Sequence, residues 1–366
     1  MKKILFILHY PPPVHGAAMV GRYIRESEKI NTDFKCQYIN LSTSKRVDEI
    51  GKGGIRKWLR FFAILWQTIK NLISFRPHLV YFTLTASGVG FYKDTLIALT
   101  AKLFGKKVMY HFHNKGIRSR QDKWFDNMLY RLVFRNAEVI LLAEELYADV
   151  EKYVPRNRVH YCANGIPNIA TQHFESSPKE KLEILFLSNL IDSKGVSVLL
   201  EACKLLKEKQ ISFQCTFIGG EGDLTADTFE HKLVSLGLKE NVQYLGKKYG
   251  AEKEEAYSKA DIFVLPTYYS NECFPLVLIE AMQFSLPLVS TFEGGIPSII
   301  VDGETGFLIP QKNPSVLAEK LEKLLSDEGL RDKMGSAGRK HYENSLTLKV
   351  FENTFVSVLR QLSSKR

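Results

Sequence analysis

Short apolar runs alternate with helix-length amphipathic segments along this chain, and after one polar break the whole alternation begins again. Residues 4–8, 34–40, 79–82, 107–111 and 139–142 read as strands, with helical patterns over 17–30, 55–75, 92–104 and 123–134 between them. Strands joined through helices run parallel, because a crossover of that length returns the chain to the same edge of the sheet. After Asn164-Gly165-Ile166-Pro167 a polar stretch to about Lys181 reads as a linker. The pattern then resumes, with strands at 184–187, 213–218, 242–245, 262–266 and 287–290 and helices at 196–209, 228–236, 252–259 and 275–284. The expectation is an α/β chain of two Rossmann-like, doubly wound parallel-sheet domains, 1–170 and 171–344. Their strand C-terminal edges, where such sheets bind ligands, would face a central cleft. A last helical pattern over about 345–366 (Leu348, Phe351, Phe355, Val358, Leu359, Leu362) could pack back on either domain, the first included.

Length agrees, since 366 residues exceed what one hydrophobic core usually serves. Charge separates the halves. Residues 1–170 carry 27 Lys/Arg and 13 Asp/Glu, or +14, whereas 171–366 carry 23 and 27, or −4. A basic half points to an anionic partner: a phosphorylated substrate, an acidic membrane surface or nucleic acid. No nucleic-acid reader motif accompanies the charge, so nucleic acid is not expected. Five scattered cysteines without a C-x-x-C pair suit free thiols in a reducing cytosol. The N-terminal apolar run is five residues long before prolines stop it, which suits a first strand and not a leader. The most apolar stretch, 58–75, is interrupted by Gln67, Lys70 and Asn71, a poor membrane span.

The segment richest in chemistry is Glu272-Cys273-Phe274-Pro275-Leu276-Val277-Leu278-Ile279-Glu280, which follows the strand at 262–266 and a polar loop. Pro275 suits the first turn of a helix, whose N-terminal N–H groups can receive an anion. Glu272 then precedes the helix and Glu280 lies in its second turn, among Leu276, Val277, Leu278, Ile279 and Ala281. Carboxylates are strong acceptors for hydroxyl donors, and an unpaired one in apolar company is costly. The plain alternative is that both are solvated surface charges.

Glu-x7-Glu in this context resembles the retaining glycosyltransferases of the two-Rossmann GT-B type, glycosyltransferase family 4. The resemblance covers nearly the whole chain: Ile7-Leu8-His9-Tyr10-Pro11-Pro12 with Gly16-Ala17-Ala18, Asn164-Gly165-Ile166, Leu187-Ser188-Asn189-Leu190 with Lys194-Gly195, Phe217-Ile218-Gly219-Gly220-Glu221-Gly222, and Gly294-Gly295-Ile296-Pro297. It implies that Glu280 binds the nucleotide ribose and Glu272 a hydroxyl of the donor sugar. Backbone amides of Phe274, Pro275-Leu276 and Val277, with Lys194 and the Asn189 position, would hold the diphosphate. Gly16 would let the first domain's backbone approach it, and His113 would contact the sugar near the reacting centre. His111, one step inside the strand, reads as structural.

Three positions depart from the family pattern: Asn189 stands where an arginine is usual, His15 precedes Gly16 where a second glycine is common, and Ser298 replaces a glutamate. The chain has no Asp-x-Asp pair, the device by which the other common glycosyltransferase fold holds a divalent cation on the diphosphate. The resemblance therefore implies a UDP- or GDP-sugar donor, no metal and no cofactor, and a glycan or lipid-linked sugar acceptor in surface polysaccharide or glycolipid assembly. It implies a cytoplasmic place, peripheral at the inner face of the cell membrane. An epimerase of the same architecture, or a non-catalytic nucleotide-sugar-binding protein, are the rival readings. Helix 55–75 sets Trp58, Phe62, Leu65, Ile69 and Leu72 on one face and Arg56, Arg60, Gln67 and Asn71 on the other. That face suits either burial on a sheet or a lipid interface.

Overall fold

Two six-stranded parallel sheets underlie the repeated pattern. The computed structural model describes residues 1–12, 14–42, 55–169 and 180–364. The chain divides into two units, Met1–Ile166 with Leu348–Arg366, and Pro167–Thr347. The polar stretch read as a linker falls at 170–179 outside the described residues.

The first unit runs β1 (Lys3–Leu8), α1 (Gly16–Glu26), α2 (Glu28–Asp33), β2 (Lys35–Asn40), α3 (Ile55–Ser74), β3 (Leu79–Phe82), α4 (Gly88–Leu103), β4 (Lys107–His111), α5 (Trp124–Phe134), β5 (Glu138–Leu141) and β6 (Val159–Tyr161). Its strands lie in the order β2-β1-β3-β4-β5-β6. The second runs β7 (Glu183–Leu187), α6 (Val196–Glu208), β8 (Gln214–Ile218), α7 (Ala226–Leu236), β9 (Val242–Tyr244), α8 (Ala251–Lys259), β10 (Ile262–Leu265), α9 (Leu276–Gln283), β11 (Leu288–Thr291), β12 (Gly306–Ile309), α10 (Pro314–Ser326) and α11 (Glu328–His341), in the order β12-β11-β10-β7-β8-β9. Then α12 (Leu348–Ser364) rejoins the first unit and packs on α2.

Both faces of each sheet are covered, so the strands are apolar throughout: Ile4 to Leu8 are buried without interruption, as are Ile262 to Leu265. Strand order reverses direction between β1 and β3 and again between β7 and β10. At such a reversal the flanking helices leave to opposite faces, opening a crevice at the strand C-termini.

The structure departs from the sequence reading in four places. The helix over 17–30 is two helices, because Ser27 takes an extended ψ and its Oγ accepts from the Ile30 amide as the cap of α2. The short edge strands β6 and β12 went unread, β12 because it opens on Gly306, which reads as turn. Helices α10 and α11, capped by Asn313 and Asp327, also went unread. Finally, the α3 stripe that suited either a sheet or a lipid interface is, apart from Leu72, not the buried one. Phe61, Ile64, Thr68 and Leu72 are buried, while Trp58 and Phe62 are 50% and 57% exposed. This helix has apolar residues on more than one stripe, and contact with α4 and β2 decides which stripe turns inward. The side chain of Arg56 lies outside the described residues.

Candidate functional site

In the second unit the reversal between β7 and β10 brings two loops together. After β7 a turn at Asp192–Lys194 ends on Gly195, at φ +96°. A Cβ there would lie 2.3 Å from the Pro266 carbonyl oxygen, so this loop presses directly on the backbone leaving β10. The Tyr268 hydroxyl donates to Asp192 at 2.6 Å and the Tyr268 amide to the Ser193 carbonyl at 2.7 Å. Burial pushes the Asp192 carboxyl up, but hydrogen bonds from Ser197 and Tyr268 outweigh it and hold it below its ordinary value. The two loops thereby place Lys194 Nζ 2.5 Å from Glu272 Oε2, with the ammonium 4.5 Å from the Tyr269 ring centre. Both members of the pair are largely buried.

The segment after Glu272 is fixed from β11. The Gly295 amide donates to the Cys273 carbonyl at 2.7 Å, and a side chain at Gly294 would strike the Glu272 carbonyl. Phe274 is buried, Pro275 caps α9, and Leu276 and Val277 form its first turn, whose amides have no acceptor inside the helix. Glu280 follows one turn on. It is not alone among apolar neighbours: Lys253 lies 2.7 Å from one oxygen and the Tyr257 hydroxyl donates to the other at 2.9 Å. Burial and then the charge of Glu280 push the Tyr257 phenol well above its ordinary range, so it stays a donor. Both partners come from α8, too far away in sequence for the window around Glu280 to show them.

Asn189, after β7, accepts from the Gly220 amide at 3.0 Å. A Cβ on Gly220 would stand 3.1 Å from Asn189 Oδ1 and 3.2 Å from Lys247 Nζ, so Lys247 reaches the same glycine turn. Among the described residues no carboxylate pairs with it. Lys247 carried no signal in the sequence, since a lysine after a glycine turn is ordinary.

Gly16 and His113 belong to the first unit. Gly16 opens α1 behind His15, whose Nδ1 accepts from the Ala18 amide at 3.4 Å. His111, at the end of β4, meets the Tyr81 hydroxyl at 2.7 Å and packs under Phe355 of α12. The His113 ring lies 4.2 Å from that of His111, and both its nitrogens are buried without a hydrogen-bond partner. Burial, then the charges of His9 and His15, lower its pKa to about 3, so it is a neutral imidazole at neutral pH. It is not a solvent-facing loop residue. An orphaned buried imidazole is costly unless something completes it.

Comparison with known proteins bears on both units. The family model described as "Glycosyl transferases group 1" matches residues 168–341. The D-inositol 3-phosphate glycosyltransferase of Corynebacterium diphtheriae is 36% identical over 164 residues, which is 43% of this chain and 38% of that protein. The amylovoran biosynthesis glycosyltransferase AmsK of Erwinia amylovora is 28% identical over 71% of this chain and 65% of its own length. The chain thus spans less than two thirds of these relatives. Among solved structures, Anabaena Alr3699/HepE in complex with UDP-glucose superposes with a TM-score of 0.74 at 16% identity, covering 99% of this chain and all of that one. The fold is the two-Rossmann GT-B arrangement.

Proposed function

We propose that this chain, a relative of the group 1 glycosyl transferases through residues 168–341, moves a sugar from a nucleoside-diphosphate sugar to an acceptor hydroxyl with retention. One observation carries the reading: a buried cation–carboxylate pair, Lys194 and Glu272, stands at the strand reversal, with a second carboxylate, Glu280, a turn deeper. A nucleotide sugar has hydroxyls at both ends and a dianion between them, and the site offers acceptors and donors in that order. Glu280 takes the ribose hydroxyls and Glu272 a hydroxyl of the sugar. Lys194 and the amide N–H groups of Phe274, Leu276 and Val277 hold the diphosphate around Pro275, joined by Lys247 at the glycine turn beside Asn189. For His113, a neutral imidazole, and for Gly16 at the start of α1 the resemblance implies roles toward the sugar and the phosphates.

The chemistry asked of these groups is electrostatic. As the glycosidic bond breaks, charge grows on the phosphate oxygens, and preorganised donors stabilise that state more than the bound ground state. Attack on the face the nucleotide leaves would retain configuration, and no side chain is assigned as a covalent nucleophile. The donor we infer is a UDP- or GDP-sugar, UDP being favoured by the likeness to HepE. The acceptor is a glycan or lipid-linked sugar in surface polysaccharide or glycolipid assembly, and the working place the inner face of the cell membrane, where the protein binds peripherally.

Calorimetric titration of UDP and GDP tests the reading. Glu280→Gln should weaken nucleotide binding by about 1–3 kcal/mol, the scale of a charged hydrogen bond. Affinity equal to wild type for the nucleotide that binds would remove Glu280 from the site, and no binding of either would remove the donor class.

The sequence holds no Asp-x-Asp pair, so the leaving group is assigned to Lys194, Lys247 and the α9 amides without a metal. Turnover should then survive excess EDTA. Loss on chelation, restored by magnesium or manganese, would overturn that assignment.

A further inference from the structure

The face of the first sheet covered by α3, α4 and α5 has an outer surface that a water-soluble domain would not ordinarily keep. Connections from β2 to β3, β3 to β4 and β4 to β5 are right-handed crossovers in one direction along the sheet, which sets their helices side by side, α3 on α4 and α4 on α5. Each buries an inner stripe, and each presents a second apolar stripe outward. On α3 it is Leu59, Phe62, Trp66 and Ile73. On α4 it is Val89, Leu96 and Leu103, seven residues apart and so on one line along the helix, with Leu103 86% exposed. On α5 it is Trp124, Met128 and Leu132.

Thirteen of the twenty-one large apolar side chains exposed among the described residues fall between positions 55 and 135. All three tryptophans of the chain are among them, with Trp66 67% and Trp124 77% exposed. Scattered exposed hydrophobes are ordinary, as in the second unit, but a contiguous face of them is an interaction surface.

Charge on the same stretch selects the partner. Residues 55–135 hold 15 Lys/Arg and 3 Asp/Glu, a surplus of 12 in a chain whose total is +10. Two of the three carboxylates are buried: Asp94 accepts from the Thr85 amide, and Asp126 pairs with Arg120. Only Asp122 faces solvent. Arg131 and Arg135 lie in and beside the apolar stripe of α5, and Lys70 in that of α3. Aromatic side chains interleaved with cations, almost without carboxylates, match a layer of anionic headgroups over acyl chains. No helix among the described residues is long and apolar enough to cross a membrane.

We infer that the α3–α4–α5 face is a membrane-docking surface that lies flat on anionic lipid, with Trp66, Leu103 and Trp124 entering the interface and Arg131 and Arg135 at the headgroups. The inference rests on the peripheral working place proposed above and gives it a surface. It holds whichever nucleotide the second unit takes.

Vesicle flotation of the full chain tests it, with vesicles of phosphatidylcholine alone and of phosphatidylcholine and phosphatidylglycerol in equal parts. The protein should float with the second and not the first, and added salt should weaken it. Trp66→Ser/Trp124→Ser, at exposed sites that leave the core untouched, should cost on the order of tenfold in partitioning while keeping the salt dependence. Arg131→Ser/Arg135→Ser should cost about fivefold for each cation and flatten that dependence. Flotation of either variant like wild type, or none by wild type, would overturn the inference. So would a wild-type dimer in sedimentation velocity that the tryptophan variant makes monomeric, because a second copy would then cover the face. The nucleotide titrations above read the second unit in the same preparations, so failure of the donor reading and failure of the docking face are separate results.

Discussion

Replacing Lys194 with alanine should lower turnover by about 10²–10³-fold, or roughly 2.7–4 kcal/mol, the scale for one preorganised donor at a developing oxyanion. Its ammonium meets the charge that builds as the nucleotide departs, which a helix N-terminus answers only with partial charge. Donor affinity should fall less than turnover, because part of the contact strengthens only as the bond breaks. The pair with Glu272 adds a second cost. Removing the lysine leaves a buried carboxylate 9% exposed and without its cation. Lys194→Ala/Glu272→Gln separates the effects: folding stability should recover in the double variant, whereas turnover should not. Asn189→Arg in the Lys194→Ala background should restore part of the rate if both positions address one phosphate. Steady-state kinetics with the donor found by calorimetry decide the matter. Near-wild-type turnover in Lys194→Ala would shift the leaving-group role to Lys247 and the amides of α9.

A large effect on stability is expected at Gly195. Its φ of +96° alone would strain an alanine, and the new Cβ would also stand 2.3 Å from the Pro266 carbonyl oxygen. Strain of that kind and overpacking against backbone together cost about 2–5 kcal/mol. Gly303 is the control, since its φ is +77° but nothing lies within 4 Å of its would-be Cβ. Gly303→Ala should therefore cost only the conformational part, about 1 kcal/mol. Urea unfolding followed by nucleotide-binding competence reads the second unit in each variant. Equal losses would mean that the loops at β7 and β10 are not locked together as described. A larger loss at Gly195, with nucleotide binding impaired even under native conditions, would tie the fold of this turn to the placement of Lys194.

Strand and helix positions in the first half were legible because apolar periodicity changes sharply between elements there. Two of the four edge strands, β6 and β12, were not, since they lie beside turns and β12 opens on Gly306. The site was legible in so far as it is local: Glu272 and Glu280 fall before and within one helix, and the order of glycine turns marks the loops. What the sequence could not show is who faces whom. Lys253 and Tyr257 reach Glu280 from another helix, and Lys247 comes to Gly220 from the loop after β9. Which stripe of α3 turns inward was left open for the same reason. A helix with two apolar faces does not declare which one the sheet will take.

The last helix belongs to the first unit although the second precedes it in the chain. Phe355 closes over Tyr81 and His111 with ring centres 5.3 and 6.1 Å away, so the middle of the first sheet is unfinished without it. Within the first unit the Leu348 amide donates to the Ile166 carbonyl at 2.8 Å, which ties the start of α12 to the end of the preceding part. In order of synthesis, the second unit therefore lies between the two parts of the first and can close before α12 is made. A chain stopped short of α12 would leave Tyr81 and His111 without Phe355 over them.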